Sequence, residues 1–265
     1  MLKVTKVYQE KDAFYQVSFD NGQQLRVSED LLVRFRLLKG MEVDEQTLAE
    51  IKQSAGYDVG LQLAMRYISY QLRTEQEVRK YLKEKMIASA DQNKIMQRLQ
   101  ELQLIDDLNY GQSYVRTQLR LSDKGPAVLK QQLQRKGLRE DAIQAALELY
   151  SSDEQFAIAF RTANKMLKTI RGKSHKETLQ KLRTNLMQKG FSTDIIQLVM
   201  SELPTEKDED VEWEALQKEG AKLLRRHHAD SFAQKKNKIK QKLYQRGFDF
   251  DLIQRFIDEE VTDED

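Results

Sequence analysis

Several features that would narrow the function of a protein are absent from this sequence. Its 265 residues include no cysteine, only 2 prolines and only 11 glycines. Without cysteine the chain can form no disulfide, no thiolate nucleophile and no cysteine-ligated zinc site. So few prolines and glycines provide too few turns for an all-β protein, which favours a mainly helical fold. No apolar run reaches the length of a signal peptide or a membrane span, so we expect a soluble, cytoplasmic protein.

Catalytic signatures are missing as well. The chain has no glycine-rich phosphate-binding loop. Its three histidines, His175, His227 and His228, lie among basic residues, which disfavour a bound metal cation. Asp106 and Asp107 are adjacent carboxylates, but their position at a predicted helix start explains them as caps. We therefore predict a protein that is not an enzyme and holds no cofactor and no metal.

The formal net charge of +2 hides strong local differences. Residues 161–189 and 218–246 are rich in lysine and arginine, whereas residues 203–213 and the C-terminal end are acidic. A single charged residue on such a helix is compatible with simple solvation. Clustering over two segments favours an anionic or mixed-charge partner, and DNA is a possible partner for these basic faces.

The strongest positive signal is an internal repeat. Three segments share a glycine, a large apolar residue, an aspartate four positions later and an isoleucine six positions later: GLREDAI from Gly137, GFSTDII from Gly190 and GFDFDLI from Gly247. This pattern is typical of a helix closed by a left-handed glycine and followed by a helix with an acid in its first turn. We call this connection between two helices a joint. Leu82 and Met86 supply a degenerate first copy of it. Because methionine replaces glycine there, we expect that joint to be longer or less regular.

A leucine stands four residues before each joint position, and these leucines are 51, 53 and 57 positions apart: Leu82, Leu133, Leu186 and Leu243. A helical period near fifty residues indicates tandem three-helix units, which must stack to bury their apolar faces. The predicted fold class is mainly α: tandem three-helix repeats forming a curved array, preceded by a small β-hairpin and helix module. The predicted segments are that module at 1–53, repeats 1 to 3 at 54–103, 104–151 and 152–203, an extended acidic linker at 204–213, and repeat 4 with an acidic tail at 214–265.

Local signals predict individual helix ends. In the N-terminal module, Gly22 after Asn21 marks a hairpin turn. Ser28 is the expected cap of a helix that ends at Gly40, and Asp44 is expected to begin a second short helix. Within the repeats, two pairs fit capping boxes: Thr74 with Glu77 and Ser174 with Glu177.

Repeat 2 carries a Gly-Pro corner. We expect Gly125 to end its first helix, and Pro126 to begin the second because proline has no amide hydrogen to leave unbonded there.

Three stretches resemble the RecX family of bacterial regulatory proteins: AMRYISYQLRTEQEVRKYL from Ala64, LIDDLNYGQSYVRTQL from Leu104 and DKGPAVLKQQLQRKGL from Asp123. The resemblance covers about residues 58–205 and continues into the fourth repeat, as in longer members of the family. It implies a curved repeat protein that binds along the RecA recombinase filament on DNA. In that family the protein modulates RecA, mostly by inhibiting its ATPase and strand exchange, and is not itself an enzyme. We expect a monomer.

Seven cations in the matching stretches are the candidate contacts to RecA or DNA: Arg66, Arg73, Arg116, Arg120, Lys124, Lys130 and Arg135. Their charge suits acidic residues of RecA and DNA phosphates equally well. The alternative function is direct, sequence-nonspecific DNA binding by a helical-repeat protein, which the basic repeats 3 and 4 favour. Against base-specific readout, the sequence shows no recognition-helix signature and no dense aromatic and basic stacking platform. An unrelated helical scaffold for other proteins is the third interpretation.

Overall fold

The structure is a computed structural model that describes residues 1–10, 14–204, 208–226 and 231–261. The strands in these ranges are β1 Leu2–Gln9, β2 Phe14–Phe19, β3 Gln24–Ser28 and β4 Glu42–Val43. The helices are α1 Glu29–Arg34, α2 Glu45–Ser69, α3 Glu75–Glu84, α4 Ser89–Glu101, α5 Asp107–Leu121, α6 Pro126–Arg135, α7 Glu140–Leu147, α8 Ser152–Leu167, α9 His175–Gln188, α10 Thr193–Glu202, α11 Glu209–Arg226, α12 Phe232–Gln245 and α13 Phe250–Glu260. His227 and His228 lie outside the described residues, as do residues 262–265 of the predicted acidic tail.

Helices α2 to α13 follow one another in four groups of three, which we call repeats 1 to 4. The predicted class of mainly α structure, with three-helix repeats after a small β-hairpin module, is confirmed. By its contacts the chain divides into two compact units. Unit 1 is Met1–Tyr114 with Gln132–Leu147, and unit 2 is Val115–Gln131 with Glu148–Asp265.

The N-terminal module is an antiparallel sheet with strand order β3-β2-β1-β4. Gly22, with φ 83°, turns the chain between β2 and β3, as predicted. Alternate residues such as Val4, Val17 and Val27 are buried and pack with residues of α1 and the start of α2. The short strand β4 was not predicted, because two residues carry no periodic signal.

Two helix lengths in this region differ from the prediction. Ser28 caps α1 as expected, but α1 ends at Arg34 rather than near Gly40. Asp44 caps α2, where its Oδ1 accepts a hydrogen bond of 2.7 Å from the amide of Thr47. The predicted short helix, however, continues for 25 residues. Its apolar side chains recur every four residues and bury one continuous stripe, which keeps the helix going: Ile51, Ala55, Val59 and Leu63.

The second helix of every repeat ends in the same joint. Each of the four spaced leucines is buried, and its carbonyl accepts a hydrogen bond from the amide five residues later. These amides belong to Ile87, Leu138, Phe191 and Phe248, at 3.0, 3.2, 3.2 and 3.3 Å. The residue before each of them is left-handed, with φ of 59° at Met86, 85° at Gly137, 88° at Gly190 and 84° at Gly247. Met86 thus forms the same joint as the three glycines, and the expectation of a longer or less regular joint is wrong.

Three of these joints dock on the preceding repeat, at the start of its second helix. The carbonyl of the residue before each glycine accepts one hydrogen bond there. Lys136 O accepts from Thr74 Oγ1 at 2.8 Å, Lys189 O from Gly125 N at 2.7 Å, and Arg246 O from Ser174 Oγ at 2.5 Å. We call residues 136–138, 189–191 and 246–248 the docked joints.

The side chain of the same basic residue forms an ion pair at each docked joint. Lys136 pairs with Glu77 at 2.6 Å, Lys189 pairs with Asp123 at 2.6 Å, and Arg246 pairs with Glu219. The hydrogen bond to Glu77 raises the pKa of the Lys136 amine, while partial burial works against that rise. The ion pairs of Lys136 and Lys189 therefore connect neighbouring repeats, whereas that of Arg246 lies within repeat 4.

Gly125 has a different role from the predicted one. Helix α5 already ends at Leu121, and Gly125 does not have a positive φ. A Cβ at Gly125 would lie 2.5 Å from the carbonyl oxygen of Gly190, so glycine is needed because two backbones touch. Pro126 begins α6 as expected.

Acidic side chains accept hydrogen bonds from the first amides of three helices. Asp106 Oδ1 accepts a hydrogen bond of 2.9 Å from the amide of Asn109 and so caps its own helix, as predicted. Asp107 instead caps α3, through a bond of 2.9 Å from the amide of Glu75 to its Oδ1. Glu212 does the same for α9, where the amide of His175 donates to its Oε2 at 2.7 Å.

Two other local predictions need correction. The Thr74 and Glu77 capping box forms completely, but at Ser174 only the serine half forms. The Glu177 carboxylate pairs with Lys173 and Lys181 instead. The expected extended linker is wrong for residues 209–213, which begin α11, because their acids favour a helix N-terminus. Residues 205–207 of that linker lie outside the described residues.

Candidate functional site

A basic groove lies between α3 and α6 in unit 1. Its volume is about 830 Å³, and we call it the α3–α6 groove. The residues that line it are Gln76, Glu77, Arg79, Lys80, Lys83, Gln92, Tyr114, Gln132, Arg135 and Lys136. Five of them are cations and one is an acid, so the groove is suited to an anionic surface.

The docked joint of repeat 2 forms one side of the groove. Lys136 is engaged by Glu77, and the Glu77 carboxylate also accepts a hydrogen bond of 3.2 Å from the amide of Thr74. Arg79 is held by Glu75 at 2.7 Å and by Asn93 at 2.8 Å. These contacts fix the walls and partly neutralise the two cations that take part.

Three other cations of the groove are exposed: Lys80, Lys83 and Arg135. Lys80 and Lys83 lie three residues apart on α3, and Arg135 is the last residue of α6. Their positive charge faces solvent, where an incoming carboxylate or phosphate can reach it without losing an internal ion pair.

Polar uncharged groups lie beside these cations. The Tyr114 hydroxyl donates a hydrogen bond of 2.7 Å to Gln132 Oε1. Burial, and to a smaller extent the neighbouring Tyr110, raises the pKa of the Tyr114 hydroxyl, so it stays protonated at neutral pH. The groove therefore offers charge and hydrogen bonds together.

The seven predicted contact residues are divided between the two units. Arg66, Arg73 and Arg135 belong to unit 1, whereas Arg116, Arg120, Lys124 and Lys130 belong to unit 2. Of the seven, Arg135 lines the groove, and Arg66, Arg116 and Arg120 are exposed on other helical surfaces.

Arg73 is half-buried in an aromatic stack. Its guanidinium lies 4.1 Å from the ring centre of Tyr67, and Tyr67 stacks on Tyr81 with their centres 4.2 Å apart.

Lys124 and Lys130 are also half-buried. Lys124 Nζ donates to Gln118 Oε1 at 3.3 Å, and the carbonyl of Lys124 accepts from the Tyr150 hydroxyl at 3.0 Å. Arg73 and Lys124 thus take part in internal packing.

Sequence reasoning missed Lys80, Lys83 and Lys136. Aligning the repeats on their joints would have revealed a basic residue just before each left-handed position: Lys85, Lys136, Lys189 and Arg246. Nothing in the sequence pairs Lys136 with a glutamate 59 positions away, so the groove itself had no signal.

Other kinds of site receive little support. Within the described ranges, no group of three or more His, Asp or Glu side chains is placed to hold a metal ion. Across the same residues, no helix has the length and apolar character needed to cross a bilayer.

Four three-helix repeats, three of them docked through the same joint, define a tandem helical-repeat protein. Family models for the RecX three-helix domains match successive parts of the chain. The first-domain model matches residues 61–99, the second 106–147, and the third matches twice, at 153–200 and 210–257. The chain therefore belongs to the RecX family.

Curated relatives and solved structures agree with that assignment. The chain is 50% identical to the regulatory protein RecX of Enterococcus faecalis, over 100% of both chains. It is 38% identical to the regulatory protein RecX of Levilactobacillus brevis, over 94% of each. A crystal structure of regulatory protein RecX matches with TM-score 0.62 and 32% identity, over 76% of this chain and 100% of that one. A crystal structure of RecX from Lactobacillus salivarius matches with TM-score 0.55 and 37% identity, over 57% and 97%.

Proposed function

We propose that this protein is a non-enzymatic regulator that binds the RecA filament on DNA and lowers its ATPase and strand-exchange activities. It acts as a monomer in the cytoplasm. Membership of a family whose relatives are named regulatory proteins supports a regulatory role. The α3–α6 groove is the observation that carries the binding proposal, because its exposed cations suit an acidic protein surface.

The test is the ATPase rate of RecA filaments on single-stranded DNA, titrated with this protein. The variant combines Lys80→Ala, Lys83→Ala and Arg135→Ala, which removes three exposed charges from the groove. We expect the half-inhibitory concentration to rise about tenfold, equivalent to about 1.4 kcal/mol of binding free energy. The matched control removes three exposed lysines elsewhere in unit 1 by Lys3→Ala, Lys39→Ala and Lys94→Ala. Equal weakening by both variants would contradict a role for the groove.

A saturating excess of single-stranded DNA separates two ways of inhibiting. Inhibition that survives the excess means that the protein engages the filament. Inhibition that disappears means that the protein competes for DNA, and the proposal would then give way to direct DNA binding.

Direct, sequence-nonspecific DNA binding is the second candidate function, and α12 favours it. This helix carries five lysines and no acid over its 14 residues. Binding of this kind loses affinity steeply with salt, with a slope of about −0.9 per phosphate neutralised on a double-logarithmic plot. Binding to double-stranded DNA that shows such a slope, together with loss of affinity in Lys236→Ala/Lys240→Ala, would favour this candidate.

A further inference from the structure

Each of the three docked joints requires glycine, which has no Cβ, at its left-handed position. A Cβ at Gly190 would lie 2.7 Å from the backbone nitrogen of Val128, and a Cβ at Gly247 would lie 2.9 Å from Lys176 Cβ. A Cβ at Gly137 would overlap the side chain of Gln76. Close approach to the preceding repeat therefore excludes larger residues at these positions.

The fourth joint, residues 85–87 of repeat 1, has the same backbone geometry but a different residue. Met86 is left-handed like the glycines, and the residue is 91% exposed. Lys85, which corresponds to the docking residues Lys136, Lys189 and Arg246, is also exposed. This joint is formed, and among the described residues no preceding repeat docks on it.

The complementary half of a joint lies at α12, the second helix of the last repeat. Ser231 is the N-cap of α12 and corresponds to Thr74, Gly125 and Ser174. It makes no side-chain cap hydrogen bond, and Ser231 and Ala233 are exposed. Ala233 stands two residues after the cap, as do Gln76 and Lys176, which lie against the glycines of docked joints.

We infer that Met86 prevents the joint of one copy from docking on the α12 start of a second copy, and so keeps copies from associating head to tail. With glycine at this position, Ser231 Oγ could donate to the Lys85 carbonyl, as Ser174 Oγ donates to Arg246 O. With methionine, the Cβ and the rest of the side chain occupy the space that the first turn of α12 would need. The occupant that Met86 excludes is a second copy, because the chain itself carries both halves of the joint. This inference concerns only the association of copies and does not depend on RecA binding.

The test compares the full-length protein with Met86→Gly and Met86→Ala by sedimentation velocity over about 1 to 100 µM, the range in which micromolar association becomes visible. We expect the wild type and Met86→Ala to sediment unchanged across the range, because both retain a Cβ. We expect Met86→Gly to sediment faster as its concentration rises. Far-UV circular dichroism of the three proteins should be the same, since position 86 is exposed.

A second-site variant ties any association to the contact proposed. Ala233→Trp fills the space beside the α12 cap, and in the Met86→Gly background it should restore wild-type sedimentation. The inference is overturned if Met86→Gly sediments at a constant rate, if Met86→Ala or the wild type associates equally, or if Ala233→Trp leaves the association intact.

Discussion

Thr74 Oγ1 joins two repeats by bonding to both at once. It accepts a hydrogen bond of 3.2 Å from the amide of Glu77, which caps α3, and it donates one of 2.8 Å to the carbonyl of Lys136, 62 residues further on. The same hydroxyl therefore both caps a helix and connects two repeats. Thr74 is fully buried, so removal of its hydroxyl would leave both partners facing a methyl group instead of a hydrogen-bonding group.

Thr74→Ala should destabilise the protein by about 2 kcal/mol, the sum of a lost N-cap and a lost hydrogen bond to the part-buried carbonyl of Lys136. Urea unfolding measures the change, and Thr74→Ser, which keeps the hydroxyl, should recover most of it. Ser192→Ala is the matched control, since Ser192 is exposed and caps α10 by a local bond to Ile195. A loss at Thr74 no larger than that at Ser192 would show that the bond between repeats adds nothing.

Gly125→Ala should destabilise the protein by about 2–3 kcal/mol, because its methyl group would overlap the backbone of Gly190. Thermal unfolding is the measurement. The control is Gly22→Ala, where nothing lies within 4 Å of a Cβ and the positive φ alone costs about 1 kcal/mol. If the two variants were equally stable, close packing at Gly125 would not matter.

Met86→Gly should raise stability by about 1 kcal/mol, since it relieves a left-handed non-glycine residue without removing a buried contact. The melting temperature should be measured at low protein concentration, so that association does not contribute. Met86→Ala keeps the Cβ and should melt with the wild type. A lower melting temperature for the glycine variant would mean that the exposed methionine stabilises the fold in another way.

Asp123→Asn should show a pH-dependent loss of stability. The hydrogen bond from Lys189 holds the pKa of the Asp123 carboxyl below its ordinary value of 3.8, although burial opposes this. A lowered folded pKa means that the pair stabilises the protein above that ordinary value and loses its effect as pH falls through the folded pKa.

At neutral pH the free energy of unfolding of the wild type should therefore exceed that of Asp123→Asn by less than about 1 kcal/mol, because the ion pair is partly solvated. The difference between the two urea midpoints should shrink as pH falls below the ordinary value and through the lowered folded pKa. Asp141→Asn breaks an exposed pair with Arg139 and should change little at either pH. A difference between Asp123→Asn and the wild type that persists in acid would exclude the carboxylate as its source.

Arg116→Ala with Arg120→Ala should weaken inhibition of the RecA ATPase about tenfold if this exposed face of α5 contacts the filament. Far-UV circular dichroism should remain that of the wild type, because both residues are exposed. Lys94→Ala with Arg98→Ala, an exposed pair on α4, is the control for loss of two charges. Unchanged inhibition in the α5 variant would rule out that face.

Repetition made much of the fold predictable. Leu133, Leu186 and Leu243 are buried joint positions as their spacing indicates, and Leu82 belongs with them despite Met86. Helix length was harder to predict, because the stripe that extends α2 has no stop signal in the sequence.

The candidate site was less predictable than the fold. Arg73 and Lys124 were chosen for their charge, but a guanidinium can stack on Tyr67 as readily as it can meet a partner. In the sequence Gly125 predicts a helix end. In the structure glycine is required there because the backbone of Gly190, 65 residues later, leaves no room for a Cβ. Only the three-dimensional arrangement distinguishes these roles.

The docked joint also has a bearing on how such a chain lengthens during evolution. Its essential parts are a backbone carbonyl, a glycine and a small residue at a helix start, and repeats 2, 3 and 4 each carry both halves. A duplicated repeat thus inherits the means to attach to its parent without any compensating mutation. That repeats 3 and 4 match the same family model fits such a history, in which the fourth repeat arose as a copy of the third.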